Sequence, residues 1–221
     1  MREIPVASHS FLSVYERCPK QAFHKYVIRD EPYVETEAIK WGNEVHKALE
    51  LAINEAKPLP EGMAKFGKYL TALGDGCKAE LSLGMTINGK PTGFRAADCF
   101  FKGKVDVLKT ENDAGFILDW KTGKPREDKD ELERHGLLVL ANFPEIKRMS
   151  GAYAWLKEDR IGKVYDLRTP APKTFERIQT LVNQMHQTEA AGAEWPANSS
   201  PLCGWCSVKT CKHNPAKIIC Q

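Results

Sequence analysis

Apolar residues recur at helical spacing over the first third of the chain and at strand spacing over the middle. Residues 8–28 predict two short helices. Phe11, Leu12 and Tyr15 supply the apolar stripe of the first, and Ala22, Phe23, Tyr26 and Val27 that of the second, whose first turn suits Pro19. A third helix is expected over 37–56, with Trp41, Val45, Leu49 and Ala52 or Ile53 on one face and Lys57-Pro58-Leu59-Pro60 ending it. A fourth, over 63–73, stops at Gly74-Asp75-Gly76. Strands follow over 78–87, turning at Asn88-Gly89-Lys90-Pro91, then over 104–109 and 116–120, joined by a turn at 111–115. Residues 122–130 are polar and loop-like. Residues 131–142 predict a helix with Leu132, Leu137, Leu138 and Leu140 available for packing. Strands over 148–156 and 164–167 and an amphipathic helix over 172–191 lead to Trp195-Pro196 and a cysteine-rich tail. The result is an α/β fold with its chemistry on the central strands.

Length changes this picture little: 221 residues can bury one substantial core. A single domain over 1–221 is expected, with a helical part to residue 78, a catalytic sheet core over 79–170 and a helix and tail over 171–221. The net charge of +3 permits a nucleic-acid partner without demanding one. No apolar run approaches the roughly 20 residues of a membrane helix. Residues 1–10 carry no signal-peptide core, so no membrane and a cytoplasmic location are expected.

The chemistry centres on Asp119-Trp120-Lys121 at the end of the apolar run Phe116-Ile117-Leu118. Residues two apart on a strand share a face, so Asp119 and Lys121 project together, and Asp106 lies on the neighbouring strand. Two carboxylates can hold a divalent cation, and a lysine beside them can steady an attacking water or developing phosphorane charge. A surface salt bridge on a hairpin would account for the triplet alone. His46 follows Gly42 by one helical turn and shares its face.

Four of the seven cysteines lie between Cys203 and Cys220. In a reducing compartment such clustering points to metal rather than to disulfides. Cys203, Cys206 and Cys211 have C-x2-C-x4-C spacing, which needs a fourth ligand. His213 directly after Cys211 would complete a zinc site. Cys77 and Cys99 fit free thiols.

Taken in order, these pieces resemble the PD-(D/E)xK nuclease superfamily, in the RecB-type branch that includes the CRISPR-associated iron–sulfur exonucleases and small phage exonucleases. Cys18-Pro19-Lys20-Gln21-Ala22-Phe23 resembles the N-terminal cysteine–proline motif, and Gly42-Asn43-Glu44-Val45-His46 the G-x-x-x-H helix. Gly103-Lys104-Val105-Asp106 resembles the strand of the first catalytic aspartate, and Leu118-Asp119-Trp120-Lys121-Thr122-Gly123 the D-x-K-T-G strand end. The resemblance implies a restriction-endonuclease-like core: a mixed sheet flanked by helices, with the N-terminal helices tied to the tail. His46, Asp106, Asp119 and the Trp120 carbonyl would hold Mg²⁺ or Mn²⁺, with Asp106, Asp119 and Lys121 catalytic. Cys18, Cys203, Cys206 and Cys211 would hold a 4Fe–4S cluster, with Zn²⁺ as the rival. The branch's Q-x-x-x-Y helix aligns with Glu131 and His135 here, a departure that bears on substrate contacts. His135 suits a substrate contact or an exposed helix histidine equally. Glu80 matches a recurring acidic position and suits an outer-sphere or solvated residue as well as a ligand. Lys124 and Arg126, just beyond the triplet, suit phosphate contacts, although a polar loop carries such residues anyway.

The reading is a metal-dependent deoxyribonuclease, an exonuclease on DNA ends or single strands in recombination, repair or phage DNA processing. Any helicase partner would be a separate chain. A non-catalytic nucleic-acid-binding module with a structural cysteine centre is the alternative from another class, and His46, both aspartates and Lys121 together argue against it.

Overall fold

In the computed structural model, residues 2–31 and 34–215 are described; Cys220 lies outside them. Contacts divide the chain into two compact units, 1–34 with 176–221, and 35–175. Among the described residues no helix is long and apolar enough to cross a membrane.

The first unit opens with a short extended segment, β1 (Ala7–Ser8). Helix α1 (His9–Arg17) starts where the Ser8 hydroxyl accepts the Phe11 N–H at 3.3 Å, and it buries Phe11, Leu12, Val14 and Tyr15. Cys18 is extended, and Pro19 begins the four-residue α2 (Pro19–Ala22). The turn widens into a π-helix over Phe23–Ile28, where the apolar pattern alone predicts continued α-helix. The tail folds back onto this segment. The Trp195 ring meets Tyr15 edge-on at 5.5 Å and Phe23 at 5.4 Å. The Lys20 N–H donates to the Pro196 carbonyl at 2.9 Å, and the Asn198 side-chain amide donates to the Arg17 carbonyl at 3.2 Å. Both flanks of Cys18 are therefore anchored to the tail.

In the second unit, Thr36 caps α3 (Glu37–Glu55), which ends at Ala56 in the left-handed conformation. A 3-10 turn over Glu61–Phe66 leads into α4 (Gly67–Leu73), closed by Gly74 at φ 63°. The strands are β2 (Cys77–Met85), β3 (Pro91–Thr92), β4 (Phe101–Glu111) and β5 (Ala114–Lys121). Helix α5 (Lys129–Asn142) precedes β6 (Arg148–Trp155), β7 (Arg160–Ile161) and β8 (Tyr165–Asp166). Helix α6 (Ala171–Ala190) then runs from the second unit into the first.

The strand order is β3-β2-β4-β5-β6-β7, with β8 also on β6. β2, β4 and β5 run antiparallel, whereas β6 is parallel to β5, as the α5 crossover requires. One sheet face buries Val107, Leu118, Trp120 and Ala152 against Val45, Leu49, Met63, Phe66 and Tyr69 of the preceding helical segments. Helix α5 covers the other. A Cβ on Gly103 would lie 2.8 Å from Leu138 Cδ1 and 3.2 Å from His135 Cδ2, so only glycine lets α5 approach β4 this closely. This is the mixed sheet flanked by helices of a restriction-endonuclease-like core. The expected long elements are present; β1, β3 and β7, of two residues each, carry no periodicity of their own.

Candidate active site

The central strands part where the polar residues gather. Pairing of β4 with β5 runs from Glu111↔Ala114 to Val107↔Leu118. At the next position the Asp106 side chain takes over, its Oδ2 accepting the Trp120 N–H at 2.9 Å. The carboxylate thus satisfies a donor that the ladder no longer reaches.

Val45 and Leu49 seat α3 in the core, which leaves His46 at the rim of the sheet. Its Nε2 lies 3.0 Å from the Trp120 carbonyl oxygen, and its Nδ1 lies 3.3 Å from Glu80 Oε1 and 3.5 Å from Asp106 Oδ1. Glu80 is mid-strand, yet its φ is 56°. A left-handed glutamate inside a strand is costly and marks a position held by its surroundings. His46, Glu80 and Asp106 each bring a ligand atom within 4.8 Å of the others. Glu80 therefore stands with the candidate ligands His46 and Asp106, whereas Asp119 lies outside that close set.

Asp119 and Lys121 share a face, as their spacing predicts. Lys121 Nζ is 2.8 Å from Asp119 Oδ1, 2.9 Å from Glu131 Oε2 and 5.3 Å from the centre of the Tyr153 ring. The Tyr153 hydroxyl lies 2.5 Å from the Asp128 carbonyl oxygen and 3.1 Å from Glu131 Oε2. Asp128 also caps α5, its side chain accepting the Glu131 N–H at 3.3 Å, so Glu131 enters the site from the first turn of that helix. His135, one turn on, is buried rather than exposed, with Nδ1 4.0 Å from Asp119 Oδ2. Glu131 is thus a partner of Lys121. Nothing in local spacing ties Tyr153 to the site; its place follows from the parallel register Asp119↔Tyr153.

The charges are strongly coupled. Burial disfavours charge on His46, but the Asp106 and Glu80 carboxylates outweigh it and push the imidazole up to about 10. Burial also works against the Glu80 carboxylate, but His46 and Lys104 together hold it below its ordinary range. Burial, followed by the Asp106 charge, drives Asp119 well above the usual carboxylate range. Burial opposes the Lys121 ammonium, but Asp119 and Glu131 overcome it and raise its pKa. In the metal-free protein these two carboxylates therefore favour the ammonium form of Lys121. An open cavity of about 710 Å³, lined by Ile39, Asn43, His46, Glu80, Lys104 and Asp106 among others, gives access. One imidazole, two carboxylates and the adjacent Trp120 carbonyl suit a hard or borderline divalent ion such as Mg²⁺ or Mn²⁺.

In the first unit, Cys18, Cys203 and Cys206 line a cavity of about 200 Å³ with Asn198 and Trp205. Burial raises the Cys206 thiol pKa, and the nearby Glu31, Cys18 and Cys211 add to it. Among the described residues no three of Cys18, Cys203, Cys206, Cys211 and His213 bring their ligand atoms within 4.8 Å of one another. Cys77 and Cys99 are free thiols.

No curated protein matches the chain. Among solved structures it is similar to a Eubacterium rectale protein described as a candidate exonuclease, with a TM-score of 0.56 and 11% identity over 94% of this chain and 86% of that one. A looser likeness, to SSO0001, has a TM-score of 0.44 and 14% identity over 96% and 88% of the two chains. At these identities the first likeness shows the fold alone, and the second is too distant to add to it. The sequence model of the PD-(D/E)XK nuclease superfamily matches residues 76–211. That span takes in more than half the chain, from the start of the antiparallel strands to the last cysteine of the C-x2-C-x4-C run, and the protein therefore belongs to the PD-(D/E)XK nuclease superfamily.

Proposed function

We propose that the protein is a metal-dependent deoxyribonuclease acting on DNA ends or single strands. The observation that carries this reading is the adjacency of two groups. His46, Glu80 and Asp106 form a close ligand set, and beside them Lys121 is clamped between Asp119 and Glu131. His46, Asp106, Glu80 and the Trp120 carbonyl would hold the divalent ion, with Asp119 adding its carboxylate. When bound, the ion supplies Lewis acidity and offsets phosphate charge.

The protein's own groups do the rest. Two carboxylates and an aromatic face hold the Lys121 ammonium in place before substrate arrives. A preorganised cation at that point stabilises the charge that develops on the phosphate and orients the attacking water by donating a hydrogen bond to it. With its pKa raised, Lys121 donates throughout, so the proton lost by the water passes to solvent or to a carboxylate. Asp119, prone to protonation in this buried setting, becomes a full carboxylate as positive charge enters the site.

For the cysteines we favour a 4Fe–4S cluster on Cys18, Cys203, Cys206 and Cys211. A single zinc ion at about 2.3 Å from each sulfur needs its ligands nearly in contact, and among the described residues no three of these sulfurs come within 4.8 Å of one another; a four-iron cube spans more. The hydrogen bonds flanking Cys18 support its role as the fourth ligand.

The test is cleavage of end-labelled linear and closed circular DNA, single- and double-stranded, in Mg²⁺, Mn²⁺ or EDTA. Cleavage of linear or single-stranded DNA that needs the ion supports the proposal. DNA that is bound but never cut in either ion would leave only a binding module.

A further inference from the structure

The face of β4 that carries Asp106 continues past the metal-ligand set. Lys104 and Lys102 lie two residues apart on β4 and so share one face at an interval of about 6.6 Å. Lys104 lines the same cavity as Asp106, is half exposed, and is ion-paired with Glu80. Opposite it on β2 stands the exposed Ser82. Beyond, Gly84 pairs with Lys102, and the loop after β3 lies over Gly84; a Cβ there would meet Cys99 Sγ and the Thr92 carbonyl at 3.0 Å each. That loop presents Phe94, and the Lys102 ammonium sits over its ring at 4.9 Å rather than on a carboxylate. From α3, Ile39 and Asn43 wall the opposite side.

This arrangement suits one unpaired strand. Lysines at strand spacing match successive phosphates of an extended chain, and an aromatic ring beyond them offers a sequence-tolerant stacking platform. Resting on the nuclease reading, we infer that single-stranded DNA leaves the scissile position along β4. Its next phosphates lie on Lys104 and Lys102 and an unpaired base stacks on Phe94. As Glu80 turns to a divalent ion, Lys104 becomes available to phosphate.

The test is fluorescence anisotropy of a labelled oligothymidylate with the full chain in EDTA, where nothing is cut, over a range of salt. Phe94→Ala is expected to weaken binding about tenfold and to erase the preference over a blunt duplex, while Phe94→Trp keeps both. Lys102→Gln should lower the slope of log affinity on log salt by about 0.7, and Lys104→Gln, whose ammonium Glu80 holds in the absence of the ion, should lower it by less. Thermal midpoints confirm that each variant is folded. Unchanged affinity and slope in folded Phe94→Ala and Lys102→Gln would overturn the track, even if the wild type cleaves DNA in Mg²⁺. Wild type that binds with the expected pattern but never cleaves would sink the nuclease reading and keep the track.

Discussion

The two units hold their candidate metal-binding residues in different ways. In the second, His46, Glu80 and Asp106 lie close together and Asp119 pairs with Lys121 beside them, positioned by a strand fork, a left-handed glutamate and a capped helix. In the first, hydrogen bonds bring the tail beside Cys18, but among the described residues no three of the sulfurs come within 4.8 Å of one another. A site whose opposite charges neutralise one another can form before its ion arrives. Thiols supply no such mutual attraction, and neighbouring thiolates repel, so on the proposed reading their final arrangement would wait for the cofactor. On that reading the candidate active site is built by the fold, while a cofactor on the cysteines would help to build the fold.

The difference is open to attack in order of expected effect. Asp106→Ala removes a ligand and the partner of the Trp120 N–H, and should cut DNA cleavage by more than about a hundredfold, beyond what loss of an outer partner costs. Iron content measured on the same sample should not change; joint loss of both would mean the sites are not separable. Cys203→Ser or Cys18→Ser should bleach an anaerobically purified brown protein and lower its thermal midpoint by roughly 5 °C or more. Mn²⁺ affinity of the protein that remains soluble should stay near wild type. A colourless wild type carrying zinc, lost on replacing His213, would instead establish the zinc site.

Glu131→Gln is a finer probe. It leaves Lys121 one carboxylate instead of two, so kcat should fall about tenfold with KM unchanged. A rise in KM at constant kcat would make Glu131 a substrate contact. The smallest effect concerns pH. The His46 pKa is raised above its ordinary 6.5 to about 10, so its contribution to the stability of metal-free protein is complete below 6.5 and lost as pH rises through about 10. A divalent ion competes with that proton. The rise in thermal midpoint on adding Mg²⁺ should therefore grow between pH 6.5 and 10, and His46→Gln should flatten the trend. A stabilisation independent of pH would show that His46 is not a ligand.

Much of this was legible in the chain. Val45 and Leu49 on one face of a helix oriented His46, and the run Phe116 to Trp120 placed Asp119 and Lys121 on one side of a buried strand. These are local periodicities. The parts that were not legible depend on long-range register or on unusual backbone. Tyr153 reaches Lys121 only because β6 pairs in parallel with β5. Glu80 stands beside His46 and Asp106 with its backbone left-handed, for which glutamate gives no cue. His135 is buried because Gly103 lets α5 settle onto β4, a contact between residues far apart in sequence.

The central claim is that Lys121 serves chemistry and not metal binding or folding. The most direct measurement compares wild type and Lys121→Ala for Mn²⁺ affinity, thermal midpoint and single-turnover cleavage of end-labelled single-stranded DNA. The account predicts Mn²⁺ binding within a few-fold of wild type, a folded protein, and cleavage reduced by about a hundred- to a thousandfold. Cleavage by Lys121→Ala at a rate near that of wild type would contradict it.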